Sequence, residues 1–342
     1  MSNRSILHIS GYDKFTKPIL DTLIARGGET RHFLLLCRQE EFPLPSALNF
    51  FKPAGLLFLK VYLQVAMSVD RIILHGLFEK KVILALFLFP WFLKKTTLMV
   101  WGGDVYNIEN NLSRFYRYCY RHILKRISTI STTVPGDYDF VKGKYGVNAA
   151  FVQSLMYYSH VARRPAPTVS SMQTDELIVQ VGNSADPLNC HLEIFDRLPP
   201  DTSVFAPLAY GDRNYGKMVV QEGRARFGER FDAMTGFIAF DDYTAKLNNV
   251  SVAIFNHPRQ AAMGNCIAFL SLGKRLYIRS DTTPWSYFRE LGFYVFDTLG
   301  ELELSPLPTA MSQHNILLAR QVFSEEALLN SWDTLIGQEC CS

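Results

Sequence analysis

Several apolar runs in this chain stop at polar, chemically capable residues. The run Val252 to Phe255 ends at Asn256-His257-Pro258, and Arg259 and Gln260 then open a helix-like run, predicted near 260–272. A helix start offers unpaired N–H groups and a partial positive charge. Arg259 adds a fixed cation whose planar fork suits two phosphate oxygens. Gly264 falls inside that run at a cost of about 1 kcal/mol against alanine, and a glycine there lets a ligand or another backbone come close. A second corner, VGNSADPLNCH (181–191), enters a turn at Gly182, Asn183 and Ser184. Backbone N–H groups in such a turn bind phosphate. It has neither the GKS/T of a P-loop nor a GxGxxG fingerprint. Together these corners suggest places for phosphate, with Gln260, Asn256 and His257 close by the first of them.

Two further corners fall in the first half. His75 closes a strand in LHGLF (74–78), and Asp104 follows two glycines in VWGGDVY (100–106). Either side chain could take a proton from an attacking hydroxyl. Each also has a structural reading, His75 as a satisfied core histidine and Asp104 as the cap of the next helix. Asp241-Asp242 resemble a metal pair, but they begin a helical run and read better as caps, so neither a structural nor a catalytic metal is expected.

The elements that must position these residues alternate strand and helix. Strands are predicted near 5–10, 32–37, 71–75, 97–102, 127–133 and 149–155. The rhythm restarts near 176–182, 202–207, 231–235, 251–255, 275–279 and 293–297. Many of these runs are short, continuous and rich in Val, Ile, Leu and Phe, as buried parallel strands are. The class is therefore α/β with two Rossmann-like domains. The predicted boundaries are an N-terminal domain over 1–162, a Pro/Ser/Thr-rich linker over 163–175, a C-terminal domain over 176–311 and a helical tail over 312–342. Ligands of such sheets bind beyond the carboxyl ends of the strands, and two sheets facing a central cleft are expected.

The net charge of +3 conceals an asymmetry. Residues 1–165 hold 22 Lys/Arg against 11 Asp/Glu, and residues 166–342 hold 13 against 21, so +11 is set against −8. The six cysteines show no CxxC pair and no zinc spacing, and no secretory signal opens the chain, which suits a reducing cytoplasm. The apolar run VILALFLFPWFL (82–93) would form a helix of about 18 Å, too short for about 30 Å of hydrocarbon. Downstream, Arg114, Arg117, Arg121 and Lys125 recur at three- and four-residue spacing with aromatics between them. That pattern suits an anionic membrane surface. Nucleic acid is not an expected partner, because no recognised binding motif accompanies the charge.

In this order and spacing the segments HGLF (75–78), VWGGDVY (100–106), VGNSADPLNCH (181–191), PLAY (207–210), FDDYTAKL (240–247) and FNHPRQAAMG (255–264) resemble the bacterial 4-acetamido-4,6-dideoxygalactose (Fuc4NAc) transferases, glycosyltransferase family 56. The resemblance spans about residues 70 to 290. It implies a GT-B architecture, a dTDP-activated amino-deoxysugar donor and an undecaprenyl-diphosphate-linked glycan acceptor. It also implies a peripheral place on the cytoplasmic face of the bacterial inner membrane, in enterobacterial common antigen or O-antigen synthesis, and no bound cofactor. Ahead of Arg259-Gln260 this chain has Asn-His-Pro, where the family often has a smaller, more apolar approach. Catalysis would rest on Arg259 at the leaving diphosphate, seated with the Gly182–Ser184 turn, and on Asp104 or His75 as base. Tyr210 and Gln260 would be candidate sugar or base contacts, with Asn256 and His257 where sugar specificity would be set. Two alternatives stand beside it: a nucleotide-sugar 2-epimerase of the same fold, and a non-catalytic membrane-associated assembly subunit.

Overall fold

The run SILHIS buries all six of its residues, as a strand does when both faces of its sheet are covered. The computed structural model describes residues 4–13, 16–156 and 177–337, with the side chains of 240 and 241 excepted. The expected linker at 163–175 and the domain boundary at 162 lie outside the described residues. The chain divides into two compact units, Met1–Tyr157 with Leu328–Ser342, and Tyr158–Ala327.

In the first unit the chain runs β1 (Ser5–Ser10), α1 (Thr16–Arg26), β2 (Arg31–Leu36), β3 (Asn49–Phe51), α2 (Leu57–Ser68), β4 (Arg71–His75), α3 (Lys80–Leu88), β5 (Thr96–Met99), α4 (Gly103–Tyr106), α5 (Arg114–Leu124), β6 (Thr129–Thr132), α6 (Pro135–Tyr145) and β7 (Ala150–Gln153). Its seven strands are parallel in the order β3-β2-β1-β4-β5-β6-β7. β3 was not expected from the pattern, because its three residues NFF form a largely exposed edge with no apolar run to mark it.

In the second unit follow β8 (Ile178–Val181), α7 (His191–Phe195), β9 (Ser203–Pro207), α8 (Arg213–Phe227), β10 (Phe231–Met234), α9 (Phe240–Asn249), β11 (Val250–Phe255), α10 (Met263–Ser271), β12 (Arg275–Ile278), α11 (Thr283–Glu290), β13 (Phe296–Asp297) and α12 (Thr309–Val322). Six parallel strands take the order β10-β9-β8-β11-β12-β13. α9 begins at Phe240 with Ala239 at its cap, so Asp241 and Asp242 lie in its first turn and do not cap it. Each sheet has one place where the strand order reverses, between β1 and β4 and between β8 and β11. There the loops leaving neighbouring strands diverge and open a crevice at the carboxyl edge.

The expected helical tail is two helices with different tasks. α12 ends at Phe323, which is buried against Phe288 and Phe293. The next helix, α13 (Glu325–Gly337), starts where the Ser324 hydroxyl accepts the N–H of Ala327. From Leu328 onward the chain belongs to the first unit. Trp332 is fully buried there, its indole N–H donating to Leu155 O at 3.0 Å. Arg71 donates to Leu335 O at 2.6 Å, and Ser331 Oγ accepts from Leu155 N at 3.0 Å. The C-terminal segment thus completes a core begun by the first strand. Trp332→Ala is expected to lower stability by about 3–5 kcal/mol, the usual cost of deleting a buried aromatic, measured as the urea midpoint of the first unit's unfolding transition.

Candidate active site

In the second unit, β8 runs into a turn that only glycine can enter. Gly182 has φ +68°, and a Cβ there would lie 2.4 Å from His191 Nε2 and 2.7 Å from Asn189 Oδ1. Asn189 holds the turn from beneath. Its Oδ1 accepts the N–H of Asn183 at 2.8 Å, and its Nδ2 donates to Ser184 Oγ at 3.1 Å and Asp186 O at 2.9 Å. Gly182 N–H donates to Ile254 O at 2.9 Å, which ties the turn to β11. The loop after β9 locks onto this one through a bridge between Ala185 and Gly211. Tyr210 accepts from Asn183 Nδ2 at 3.1 Å. Its ring lies within 7° of parallel to that of Phe237, at 6.3 Å. Phe237, in the loop after β10, is 74% exposed and was not singled out from sequence.

On the β11 side the helix starts later than predicted. Residues 256–262 form a loop, Ala262 takes a left-handed conformation at φ +54°, and α10 begins at Met263. The apolar spacing Met263, Cys266, Ile267, Leu270 explains the start, since those side chains are all buried. Arg259 and Gln260 therefore precede the helix, and Gly264 sits exposed in its first turn. A non-glycine residue held at positive φ beside a helix start is backbone strain of the kind that gathers at functional sites. Arg259 is half-buried and its Nη1 donates to Gln260 O at 2.8 Å. Gln260 is buried with its Oε1 lacking a hydrogen-bond partner. His257 is buried, and burial, with the nearby charge of Arg259 and then His191, pushes its pKa down to about 3, so it is neutral. Asn256 departs from the expected role at the ligand. Its Nδ2 donates to Glu193 Oε2 and its Oδ1 accepts from Thr298 Oγ1, both at 2.9 Å. Both ends of the amide are used to tie β11 to α7 and to the end of β13.

In the first unit, Asp104 is fully buried. Its Oδ1 accepts from Trp101 N at 2.9 Å and its Oδ2 from Leu77 N at 3.3 Å. It thereby joins the loops after β4 and β5. Burial pushes its pKa up to about 7 against the lowering effect of those N–H groups. This geometry makes Asp104 a brace for the sheet edge, and it places neither oxygen at the surface.

His75 is one end of an imidazole chain that the sequence pattern did not reveal. His75 Nε2 lies 3.0 Å from His8 Nδ1, and His8 Nε2 lies 3.0 Å from His32 Nδ1. Trp332 packs its ring against both His8 and His75. Burial holds His8 well below its ordinary pKa and brings His32 and His75 to about 4. His75 Nδ1 is buried without a partner, as is the hydroxyl of Ser10. Ser10 follows Ile9, which pairs with Leu74, so it stands beside His75 on one face. Close by, Asp13 pairs with Arg38 at 3.3 Å. Ser10, Asp13 and Arg38 were missed because only the strand order shows that the ends of β1 and β4 adjoin. Among the described residues no group of three or more His, Cys, Asp or Glu is arranged to hold a metal ion.

The basic helix is α5, and its four cations do not act alike. Arg121 forms a two-point ion pair with Glu109 at 2.6 and 3.1 Å, and Arg117 donates to the carbonyls of Glu109 and Leu112. Those two arginines fasten the 3-10 turn before the helix. Arg114 and Lys125 remain exposed.

Two Rossmann-type units, each a parallel sheet with one order reversal, define the GT-B class of glycosyltransferases. Solved structures with this fold include HepE of Anabaena in complex with UDP, at 12% identity and TM-score 0.69 over 98% of this chain and 100% of that one. Sucrose-phosphate synthase of Thermosynechococcus elongatus is similar at 9% identity and TM-score 0.71, over 98% of both chains. WaaG, described as a glycosyltransferase involved in lipopolysaccharide biosynthesis, is similar at 12% identity and TM-score 0.59, over 98% and 96%. The family described as "4-alpha-L-fucosyltransferase glycosyl transferase group 56" matches residues 19–336. The chain belongs to that family and is a hexosyltransferase.

The imidazole chain sets a direction for pH dependence. The folded pKa values lie below the ordinary 6.5, so the unfolded chain takes up protons that the folded one refuses as pH falls through 6.5 towards 4. Stability held above pH 6.5 is lost across that window. Urea midpoints recorded from pH 7 down to pH 4.5 are expected to decline, and less steeply in His32→Gln.

Proposed function

We propose that this enzyme transfers a 4-acetamido-4,6-dideoxyhexose, Fuc4NAc-like, from a dTDP-sugar to an undecaprenyl-diphosphate-linked glycan, in enterobacterial common antigen or O-antigen synthesis at the cytoplasmic face of the inner membrane. The observation that carries the donor half is the crevice between β8 and β11. There a glycine-only turn with Ser184, the start of α10 and Arg259 occupy one sheet edge. An anion is stabilised there by the helix dipole, the guanidinium and the Ser184 N–H together, since the N–H groups of Gly182 and Asn183 are taken by Ile254 O and Asn189 Oδ1. HepE, of similar fold, is described in complex with UDP, which supports a nucleoside diphosphate as the occupant. Tyr210 and Phe237, beside the same turn, suit the nucleobase, since a base stacks on aromatic faces regardless of its hydrogen-bonding edge.

In the reaction the acceptor hydroxyl oxygen bonds to the anomeric carbon, and the bond from that carbon to the diphosphate oxygen breaks. dTDP leaves with the electron pair, and Arg259 and the α10 start stabilise the charge it gains. The hydroxyl proton goes to a base. Asp104 is occupied as a brace, so the proton is assigned to His75 Nδ1. Two tautomer sets fit the imidazole chain. In the one that leaves His75 Nδ1 a lone pair, Nε2–H of His75 donates to His8, and Nε2–H of His8 donates to His32. Burial keeps His75 neutral and ready to accept, and the Asp13 carboxylate favours its protonated form.

The test is product mass after incubation with a panel of dTDP- and UDP-sugars and a membrane lipid extract. A lipid-linked product gaining one acetamido-dideoxyhexose is expected from a dTDP donor. Donor consumption without acceptor would favour an epimerase, and nucleotide-sugar binding without turnover a non-catalytic subunit. Arg259→Ala is expected to lower kcat by about 10²–10³, the range for losing one charge-stabilising group, with the fold intact by circular dichroism. Near-normal turnover would remove Arg259 from the mechanism. Phe237→Ala is expected to weaken dTDP binding about tenfold, within the range for one stacked base, while leaving pyrophosphate binding unchanged in calorimetry.

A further inference from the structure

α3 packs beside α5, and the 3-10 turn Pro90–Lys95 follows α3. Their outer surface is apolar where a crossover helix ordinarily shows polar groups to water. Leu88 is 47% exposed, Trp91 58%, Phe115 54% and Tyr118 61%. Phe87 joins the two helices, with its ring edge-on to Phe115 at 6.2 Å, to Tyr118 at 5.9 Å and to His122 at 5.1 Å. Trp91 continues the surface past the end of α3, its ring 5.5 Å from that of Phe89. Large apolar side chains exposed at the end of α3 and on the adjacent helix α5 mark a contact surface.

The charge around it names the partner. Residues 80–103 contain Lys80, Lys81, Lys94 and Lys95 and no acid, and residues 110–136 contain five Lys/Arg and no acid. Protein interfaces are depleted in lysine. An anionic leaflet attracts a lysine rim, while Trp and Tyr settle at the headgroup boundary and Leu and Phe enter the acyl region. No helix among the described residues is long and apolar enough to cross a membrane, so the contact is in-plane.

We propose that the Leu88, Trp91, Phe115 and Tyr118 surface inserts into the outer acyl region of an anionic membrane, with Lys94, Arg114 and Lys125 on the headgroups. This deepens the reading of a lipid-linked acceptor and rests on it. It also changes the expected contact. Arg117 and Arg121 are held by the carbonyls and carboxylate of the preceding turn, and the aromatic side chains of two adjacent elements take their place.

The test uses the full chain and protein-free vesicles, either zwitterionic phosphatidylcholine alone or with phosphatidylglycerol at a mole fraction of about one third, a composition chosen for an anionic surface. The protein is expected to float with the anionic vesicles at low salt. Brominated acyl chains should quench its tryptophan fluorescence, and this quenching should be lost in Trp91→Phe. The double variant Trp91→Ser/Phe115→Ser is expected to lose at least tenfold in vesicle affinity. Lys94→Glu/Lys125→Glu should lose the preference for anionic vesicles. Both variants should turn over a short-chain, detergent-soluble acceptor analogue within twofold of wild type, which also shows that they fold. Flotation of Trp91→Ser/Phe115→Ser equal to wild type, or no quenching by brominated chains, overturns the proposal. Failure of the wild type to float at all does so too, and favours a protein partner. Vesicle insertion without transfer to any lipid-linked acceptor would leave the surface standing and sink the acceptor reading.

Discussion

Parallel strands joined by right-handed crossovers send every loop of functional length to one edge of a sheet, and a reversal of strand order is the one place where that edge opens. In the second unit the reversal lies between β8 and β11. What makes the opening usable is the closeness of Gly182 to His191 and Asn189, which no side chain could survive. The turn is pressed down onto groups that take the N–H of Gly182 and of Asn183, and Ser184 is left near the sheet's carboxyl edge. On the other lip, the left-handed Ala262 swings the chain so that α10 begins close to the crevice with Arg259 just ahead of it.

The first unit uses its own reversal, between β1 and β4, differently. Its edge is braced by Asp104 and carries two buried polar atoms without partners, on Ser10 and His75. Unsatisfied buried polar groups are uncommon because each forfeits its hydration. Two on one strand-end face are what a site would keep for a substrate hydroxyl. The return of the chain through Trp332 supports that face, so the last helix contributes to the environment of His75 as directly as the strands do.

Much of this was legible in the sequence. The alternation of apolar runs and helical spacing revealed two parallel-sheet units, and the corners at 75, 104, 182–184 and 259 all fall at strand carboxyl ends. Other features were not legible, for identifiable reasons. The start of α10 was placed three residues early because Pro258 imitates a helix opening, whereas the buried stripe begins only at Met263. Asn256 looked like a ligand contact because its partners, Glu193 and Thr298, are far off in sequence. The histidine chain draws on three strands and one late helix, so it has no local signature. Phe237 lies in an unpatterned loop, and only its parallel neighbour Tyr210 gives it meaning.

The family membership and the fold agree on glycosyl transfer, and the proposed seat of the donor's diphosphate is more specific than the proposed sugar. The most direct measurement is a structure determined with dTDP bound. The account predicts diphosphate oxygens within hydrogen-bonding distance of Ser184, the first turn of α10 and the Arg259 guanidinium. A diphosphate seated away from the β8–β11 crevice, or held without Arg259 and the α10 start, would contradict it.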